Sequence, residues 1–218
     1  MKAGKDIAIL CDGDFPNNKE TLSRLDSCNV IICCDGAVTA LEKSGRKCDY
    51  IAGDMDTLSL SQQLSHRHII ISDPDQQTND QTKSFKLALS LSPSAIHIFG
   101  ATGKREDHTI GNISLLAEYA SIIRKEGIKC SIDMISDYGI FVPYYGSFEM
   151  TNCRPGEQIS LFAFDNSLKV HSEGLKYPVD GITFDLWWKA TLNEATGTLV
   201  KIVCNHPADM LVFRNFNL

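Results

Sequence analysis

The chain has 218 residues and a formal net charge of −6, with apolar and charged shares ordinary for a globular protein. That length suits one large domain or two modest ones. The negative balance excludes a general affinity for nucleic acid or anionic membrane, because no basic surplus is present to release counterions.

An acidic site can still bind a nucleotide through the metal that accompanies it. No apolar run approaches the roughly 18 residues of a membrane-spanning helix. The start, Met1 to Asp6, leads into a five-residue apolar segment, too short for a signal peptide's apolar region. Eight cysteines show no C-x-x-C and no metal-site spacing. Free thiols in a reducing cytoplasm are therefore expected.

In chain order, Ile7-Ala8-Ile9-Leu10-Cys11 breaks at Asp12-Gly13-Asp14, and Val30 to Cys34 breaks at Asp35-Gly36. Tyr50-Ile51-Ala52 breaks at Gly53-Asp54, and His68 to Ile71 at Ser72-Asp73. Ala95 to Phe99 ends at Gly100, and Cys130 to Ile135 at Ser136-Asp137. Short continuous apolar runs, separated by stretches long enough for helices, predict parallel strands covered on both faces.

The acidic and glycine residues follow these strands, and an open parallel sheet binds ligands at its carboxyl edge. Asp12, Asp14, Asp35, Asp54, Asp56, Asp73 and Asp75 would crowd that edge, where like charges raise one another's pKa unless cations neutralise them. Gly53-Asp54-Met55-Asp56-Thr57 is the clearest case. If it stays extended, its two carboxylates point the same way, as a hard cation with phosphate co-ligands requires. A solvated turn accounts for the same residues without a ligand.

Two helices are expected to start at this edge. One follows Asp80, a plausible N-cap, with Lys83 three residues on and on the same side. The other begins near Asp107-His108, with His108 and Asn112 on one face. Gly100-Ala101-Thr102-Gly103-Lys104-Arg105 fails the P-loop spacing, which excludes a Walker-type site. Such a loop can still wrap phosphates with backbone N–H groups and two cationic tips.

Beyond Asp137 the texture changes to short strand candidates at Tyr138–Val142, Ser147–Met150, Ile159–Phe164, Leu168–Ser172, Ile182–Leu186, Leu199–Cys204 and Met210–Phe213. Several alternate, as a small antiparallel sandwich or barrel would. The expected architecture is a mostly parallel, Rossmann-like α/β domain over residues 1–140, followed by a small antiparallel β-sandwich over 141–218.

Four blocks in order resemble the thiamine pyrophosphokinase family: Cys34-Asp35-Gly36-Ala37, Gly53 to Thr57, Asp75 to Lys83, and Gly103 to His108. Gly174 to Pro178 and Asn193-Glu194 look like its second-domain motifs. The resemblance implies Mg²⁺-dependent pyrophosphoryl transfer from ATP to thiamine in a cytoplasmic homodimer with active sites between subunits. On it, Asp54, Asp56 and Asp80 are metal ligands, and Lys83, Arg105 and Asp107 join them in catalysis. Asp35, Asp75, Gln76, Thr78, Gly103, Arg105 and His108 face the nucleotide. Tyr177, Trp187, Trp188 and Asn193 face thiamine, at most one tryptophan if both lie on a strand, where neighbours point oppositely. Lys104 and Leu192 depart from the family's usual glycine and serine. A nucleotide or thiamine sensor and a Mg²⁺-dependent phosphohydrolase are the alternatives.

Overall fold

The structure, a computed structural model, describes residues 4–216; Met1 to Ala3, the start of the stretch weighed as a leader, lie outside them. The chain divides into two compact units, Met1–Asp137 and Tyr138–Leu218.

The first unit alternates strands and helices. These are β1 (Lys5–Leu10), α1 (Lys19–Ser27), β2 (Val30–Cys34), α2 (Ala37–Lys43), β3 (Tyr50–Gly53), α3 (Leu60–His66), β4 (Ile70–Ser72), α4 (Asp80–Ser90), β5 (Pro93–Phe99), α5 (Glu106–Lys125) and β6 (Ser131–Ile135). Every strand pair is parallel, in the order β6-β5-β1-β2-β3-β4. The order reverses between β1 and β5. That is the switch point where the loops leaving neighbouring strands part and open a crevice.

Strands β1 and β2 read as continuous apolar runs because both their faces are covered. Ile7, Ile9, Leu10, Ile32 and Cys33 are fully buried. Helix α4 packs on α5 through Phe85, whose ring stacks on Tyr119 at 4.1 Å. Full burial of a side chain such as Phe85 contributes about 1.5–3 kcal/mol. The run His68 to Ile71 forms less strand than expected. The strand begins only at Ile70, because His68 and Ile69 close the turn from α3, with the Ile69 N–H bonded to the His66 carbonyl and the Ile69 carbonyl accepting from the Ile51 N–H. No helix among the described residues is long and apolar enough to cross a membrane.

The second unit is antiparallel. Strands β7 (Gly139–Tyr145), β9 (Gln158–Ala163), β11 (Asn193–Glu194) and β13 (Asp209–Asn215) lie in the order β11-β9-β13-β7. Strands β8 (Phe148–Thr151), β10 (Val170–Glu173) and β12 (Leu199–Cys204) make a second sheet, β10-β12-β8. Their inward residues, among them Ile159, Leu161, Val200, Ile202, Met210 and Val212, form one core.

The strand expected at Ile182–Leu186 does not form. The segment is irregular, drawn in by buried Phe184, and leads to a 3-10 turn at Trp187–Ala190. Three residues per turn set consecutive side chains about 120° apart, so Trp187 and Trp188 are not sent to opposite faces of a sheet. All eight cysteines are free thiols.

Candidate active site

The carboxyl edge of the parallel sheet collects the acidic residues by position alone, since each loop leaves its strand on the same side. Asp35 ends β2 with φ at +32°, and Met55 stands at +69°. Strand β3 ends at Gly53, so Asp54 and Asp56 meet through a turn and not by the side-chain alternation of a strand. Met55 between them is buried at 7 % exposure and anchors that turn.

One carboxylate oxygen from each of Asp35, Asp54 and Asp56 lies within 4.8 Å of the other two. Asp35 Oδ2 accepts from the Thr57 N–H at 3.1 Å. Its Oδ1 is buried without a hydrogen-bond partner. An unsatisfied, buried carboxylate oxygen is costly, and a hard cation with oxygen ligands satisfies it.

Asp54 accepts from the Gln76 side-chain amide at 2.9 Å and the Asp56 N–H at 3.2 Å. Those bonds, Gln76's first, and the nearby Lys83 hold its carboxyl below the usual range. Asp56 moves the other way, raised chiefly by the charge on Asp54. Two acids pushed apart in this manner share an excess of negative charge that a cation would relieve.

Asp80 begins α4 but is not its cap. The cap is Asn79, whose side chain accepts from the Thr82 N–H at 2.9 Å. Asn79 was legible as an asparagine directly before the helix. Asp80 stands outside the carboxylate trio and faces buried Lys83, whose Nζ is 3.3 Å from Asp80 Oδ1 and 4.0 Å from Asp54 Oδ2. Burial raises the Asp80 carboxyl against the pull of that ammonium.

Asp75 and Thr78 are spent on one another, the hydroxyl donating to Asp75 Oδ2 at 3.1 Å. The Gln77 N–H also binds Asp75 and leads in lowering its pKa. Neither lines the main cleft, and Gln76 reaches the site only through Asp54.

That cleft, about 350 Å³, opens at the switch point and is lined by Asp12, Asp35, Asp80, Gly103, Arg105 and His108, together with Cys11, Gln81 and Asn112. Asp54 lines a neighbouring pocket of about 450 Å³ with Leu60, Leu64, Arg67 and Ile70. Arg105 holds Asp107 through two bonds of 3.1 and 2.5 Å, which bring that carboxyl down to about 2. Helix α5 starts at this point with no side-chain bond from its cap residue Arg105, although the Asp107 carboxylate accepts from the His108 N–H at 2.9 Å; the start of a helix favours an anion.

Gln81 was not anticipated. It is buried, accepts from the Cys11 thiol at 3.4 Å and donates to the Asn112 carbonyl at 3.4 Å. Asn112 in turn donates to the Ala101 carbonyl at 2.8 Å, which fixes the loop after β5. Asn112's spacing from His108 was the one signal of that role.

In the second unit Asn193 is buried, and its carboxamide is consumed locally. It accepts from the Tyr177 N–H at 3.1 Å and donates to the Tyr177 carbonyl at 2.6 Å. It therefore positions the Tyr177 loop. Tyr177, Trp188 and Leu192 are exposed at 59, 69 and 80 %. Trp187 meets Phe162 and Phe164 edge-on at 6.2 and 5.8 Å.

A family model described as the thiamin pyrophosphokinase catalytic domain matches residues 22–132. One described as the thiamin pyrophosphokinase substrate-binding domain matches 139–213. A thiamine pyrophosphokinase of Bacillus subtilis (strain 168) is 32% identical over 115 residues, 52% of this chain and 50% of that relative. The match thus spans half the relative's length.

A crystal structure of the thiamine pyrophosphokinase from Bacillus subtilis superposes with a TM-score of 0.76 at 21% identity, over 98% of this chain and 100% of the other. That of yeast thiamin pyrophosphokinase does so with 0.76 at 14% identity, over 98 and 87%. These likenesses show a shared fold.

Proposed function

Because the chain belongs to the thiamin pyrophosphokinase family, we propose that it transfers the pyrophosphoryl group of ATP to the hydroxyl of thiamine, giving thiamine diphosphate and AMP. The observation that carries the reading is the trio Asp35, Asp54 and Asp56, together with the buried Oδ1 of Asp35 that has no hydrogen-bond partner.

The donor set is all oxygen and fits Mg²⁺. Bound there with the ATP phosphates, Mg²⁺ would supply charge neutralisation for phosphoryl-type transfer. The protein's own residues supply positioning. Arg105, through the guanidinium N–H groups that Asp107 does not take, and the positive end of α5 face the phosphates. Lys83, buried between Asp80 and Asp54, sets the spacing of those carboxylates and adds positive charge where the transferred group becomes more negative.

Thiamine's hydroxyl attacks the β-phosphorus in line, AMP leaves, and the hydroxyl proton passes to a carboxylate. Asp80 is the better acceptor. Its carboxyl is raised by burial, whereas Asp107 is held at about 2 by Arg105 and binds a proton poorly.

The first unit is assigned to ATP and chemistry. The exposed aromatic surface of the second, Tyr177, Trp187 and Trp188, is assigned to the cationic thiazolium ring, which favours aromatic faces, and to dimerisation in a homodimer. Free thiols throughout suit a cytoplasmic setting.

The test is product identification after incubation with ATP, Mg²⁺ and thiamine. AMP with thiamine diphosphate is the expected pair. ADP or inorganic phosphate would mean hydrolysis, and saturable binding without turnover would mean a sensor; either overturns the assignment.

A further inference from the structure

The loops that leave β1 and β5 on the two sides of the switch point are zipped together by main chain. The Cys11 N–H donates to the Phe99 carbonyl at 2.8 Å, Gly13 to Gly100 at 2.7 Å, and Asp14 to Thr102 at 2.9 Å. Gly103, at φ +80°, lies so close to the Asp14 carboxylate that a Cβ there would collide with it. Beyond this zipper stands one side-chain pair, Lys104 Nζ to Asp12 Oδ1 at 2.9 Å. Both residues line the cleft, and both side chains are 52% exposed.

Three features mark the pair as more than a strut. Three residues on each side are already joined by backbone bonds, so the loops do not depend on it. An exposed ion pair is held weakly, by no more than about a fivefold factor in equilibrium. Lys104 also occupies the left-handed region at φ +54°, which a lysine rarely adopts. Strain of that kind persists where the surroundings or a function require it.

The electrostatic consequence is specific. Asp12 is a carboxylate in a cleft assigned to a polyanion, and Lys104 cancels it while no anion is present. Lys104 carries three donors on a flexible stem, so it can turn from Asp12 to a phosphate oxygen without moving the loop. Arg105 differs, meeting Asp107 through two bonds of a planar fork and keeping further N–H donors for a phosphate. Lys83 differs too, being buried between two carboxylates.

We infer that Lys104 is a phosphate ligand for the bound nucleoside triphosphate held in reserve by Asp12, the lysine exchanging one anionic partner for the other when the nucleotide enters. The inference rests on the assignment of ATP to this cleft. It adds a competitor to that assignment: Asp12 opposes nucleotide binding by retaining the lysine.

The experiment is equilibrium binding of a non-hydrolysable ATP analogue with Mg²⁺ to the full chain, by calorimetry at low salt, with thermal melting recorded for each variant. Lys104→Met is expected to weaken binding about three- to tenfold, and Lys104→Arg to retain most of it. Asp12→Asn is expected to tighten binding about two- to fivefold, because the lysine no longer has to leave a charged partner. Asp12→Ser serves the same arm if the asparagine variant melts early. The opposite signs are the point of the design. A strut predicts that both substitutions weaken binding or change nothing, and either result with Asp12→Asn overturns the exchange. No analogue binding by the unaltered chain would sink the ATP assignment and the exchange with it, whereas normal binding with an inert Asp12 sinks the exchange alone.

Discussion

Two buried carboxylates, one in each unit, show what separates a structural charge from a functional one. Glu157 is 3% exposed and fully engaged: Arg214 donates to it at 2.7 and 3.2 Å, and the Arg154 N–H at 2.9 Å. Burial pushes its carboxyl up, but those bonds outweigh burial and hold it below the usual range. Asp35 is as deeply buried, at 2%, and keeps one oxygen with no partner at all. A protein that satisfies one such group completely and leaves the other half-satisfied, beside two more carboxylates, has left room for a ligand. A buried charge alone therefore marks nothing; its unmet hydrogen bonding does.

The comparison breaks most sharply by substitution at the two acids. Asp35→Asn keeps an acceptor for the Thr57 N–H and removes the charge. We expect turnover to fall at least about a hundredfold, the scale of several kcal/mol of lost charge stabilisation. The melting temperature should hold or rise, since an uncompensated charge has gone. A variant that keeps near-normal turnover would remove Asp35 from the cation site.

Arg214→Met should do the reverse, leaving Glu157 buried and unpaired. It should cost about 3 kcal/mol in urea unfolding, the low end for a broken buried pair because Arg214 is partly exposed. Nucleotide affinity should stay unchanged. Stability within error of the unaltered chain would show that Glu157 finds water instead.

Asn193→Ala sharpens the contrast inside the second unit. Losing two bonds to the Tyr177 backbone should cost about 1–3 kcal/mol. It should also raise the KM for thiamine with little change in kcat, as expected of a residue that positions a loop. A drop in kcat alone would place Asn193 at the chemistry.

The smallest effect belongs to His97 and Asp133, paired at 2.8 Å across β5 and β6. The Asp133 carboxylate raises the His97 pKa against partial burial. The folded state then holds its proton more tightly than the unfolded one. The pair's contribution is full below the unfolded histidine pKa, about 6.5, and is lost as pH rises through the higher folded value. We expect unfolding free energy to fall by less than about 1 kcal/mol over that window. In His97→Gln the slope should vanish, and a slope that survives assigns it elsewhere.

Much of this was legible along the chain, and the reasons for the rest are physical. Strands β1, β2 and β3 announce themselves as unbroken apolar runs because both faces are covered, and their trailing aspartates then lie at one edge. What was not legible depends on contacts between distant residues. The Asp35–Thr57 bond and the Asp12–Lys104 pair join separate loops, and nothing local specifies them. Lys83 was legible as a basic residue beside Asp80, but its burial was not: it is 4% exposed, with Asp80 and Asp54 oxygens at 3.3 and 4.0 Å. Ile182 to Leu186 alternates over too few residues to outweigh the burial of Phe184 in an irregular segment. Asp54 and Asp56 converge as expected, but through left-handed Met55 and not an extended strand.

The 3-10 turn of the second unit has an optical consequence. The chain contains two tryptophans, adjacent at 187 and 188, and both face solvent. Excited selectively, intrinsic fluorescence therefore originates from this one surface of the second unit. A cationic heteroaromatic ring settling against either indole would quench or shift that emission. The molecule thus carries a built-in, label-free reporter on the surface proposed to meet thiamine.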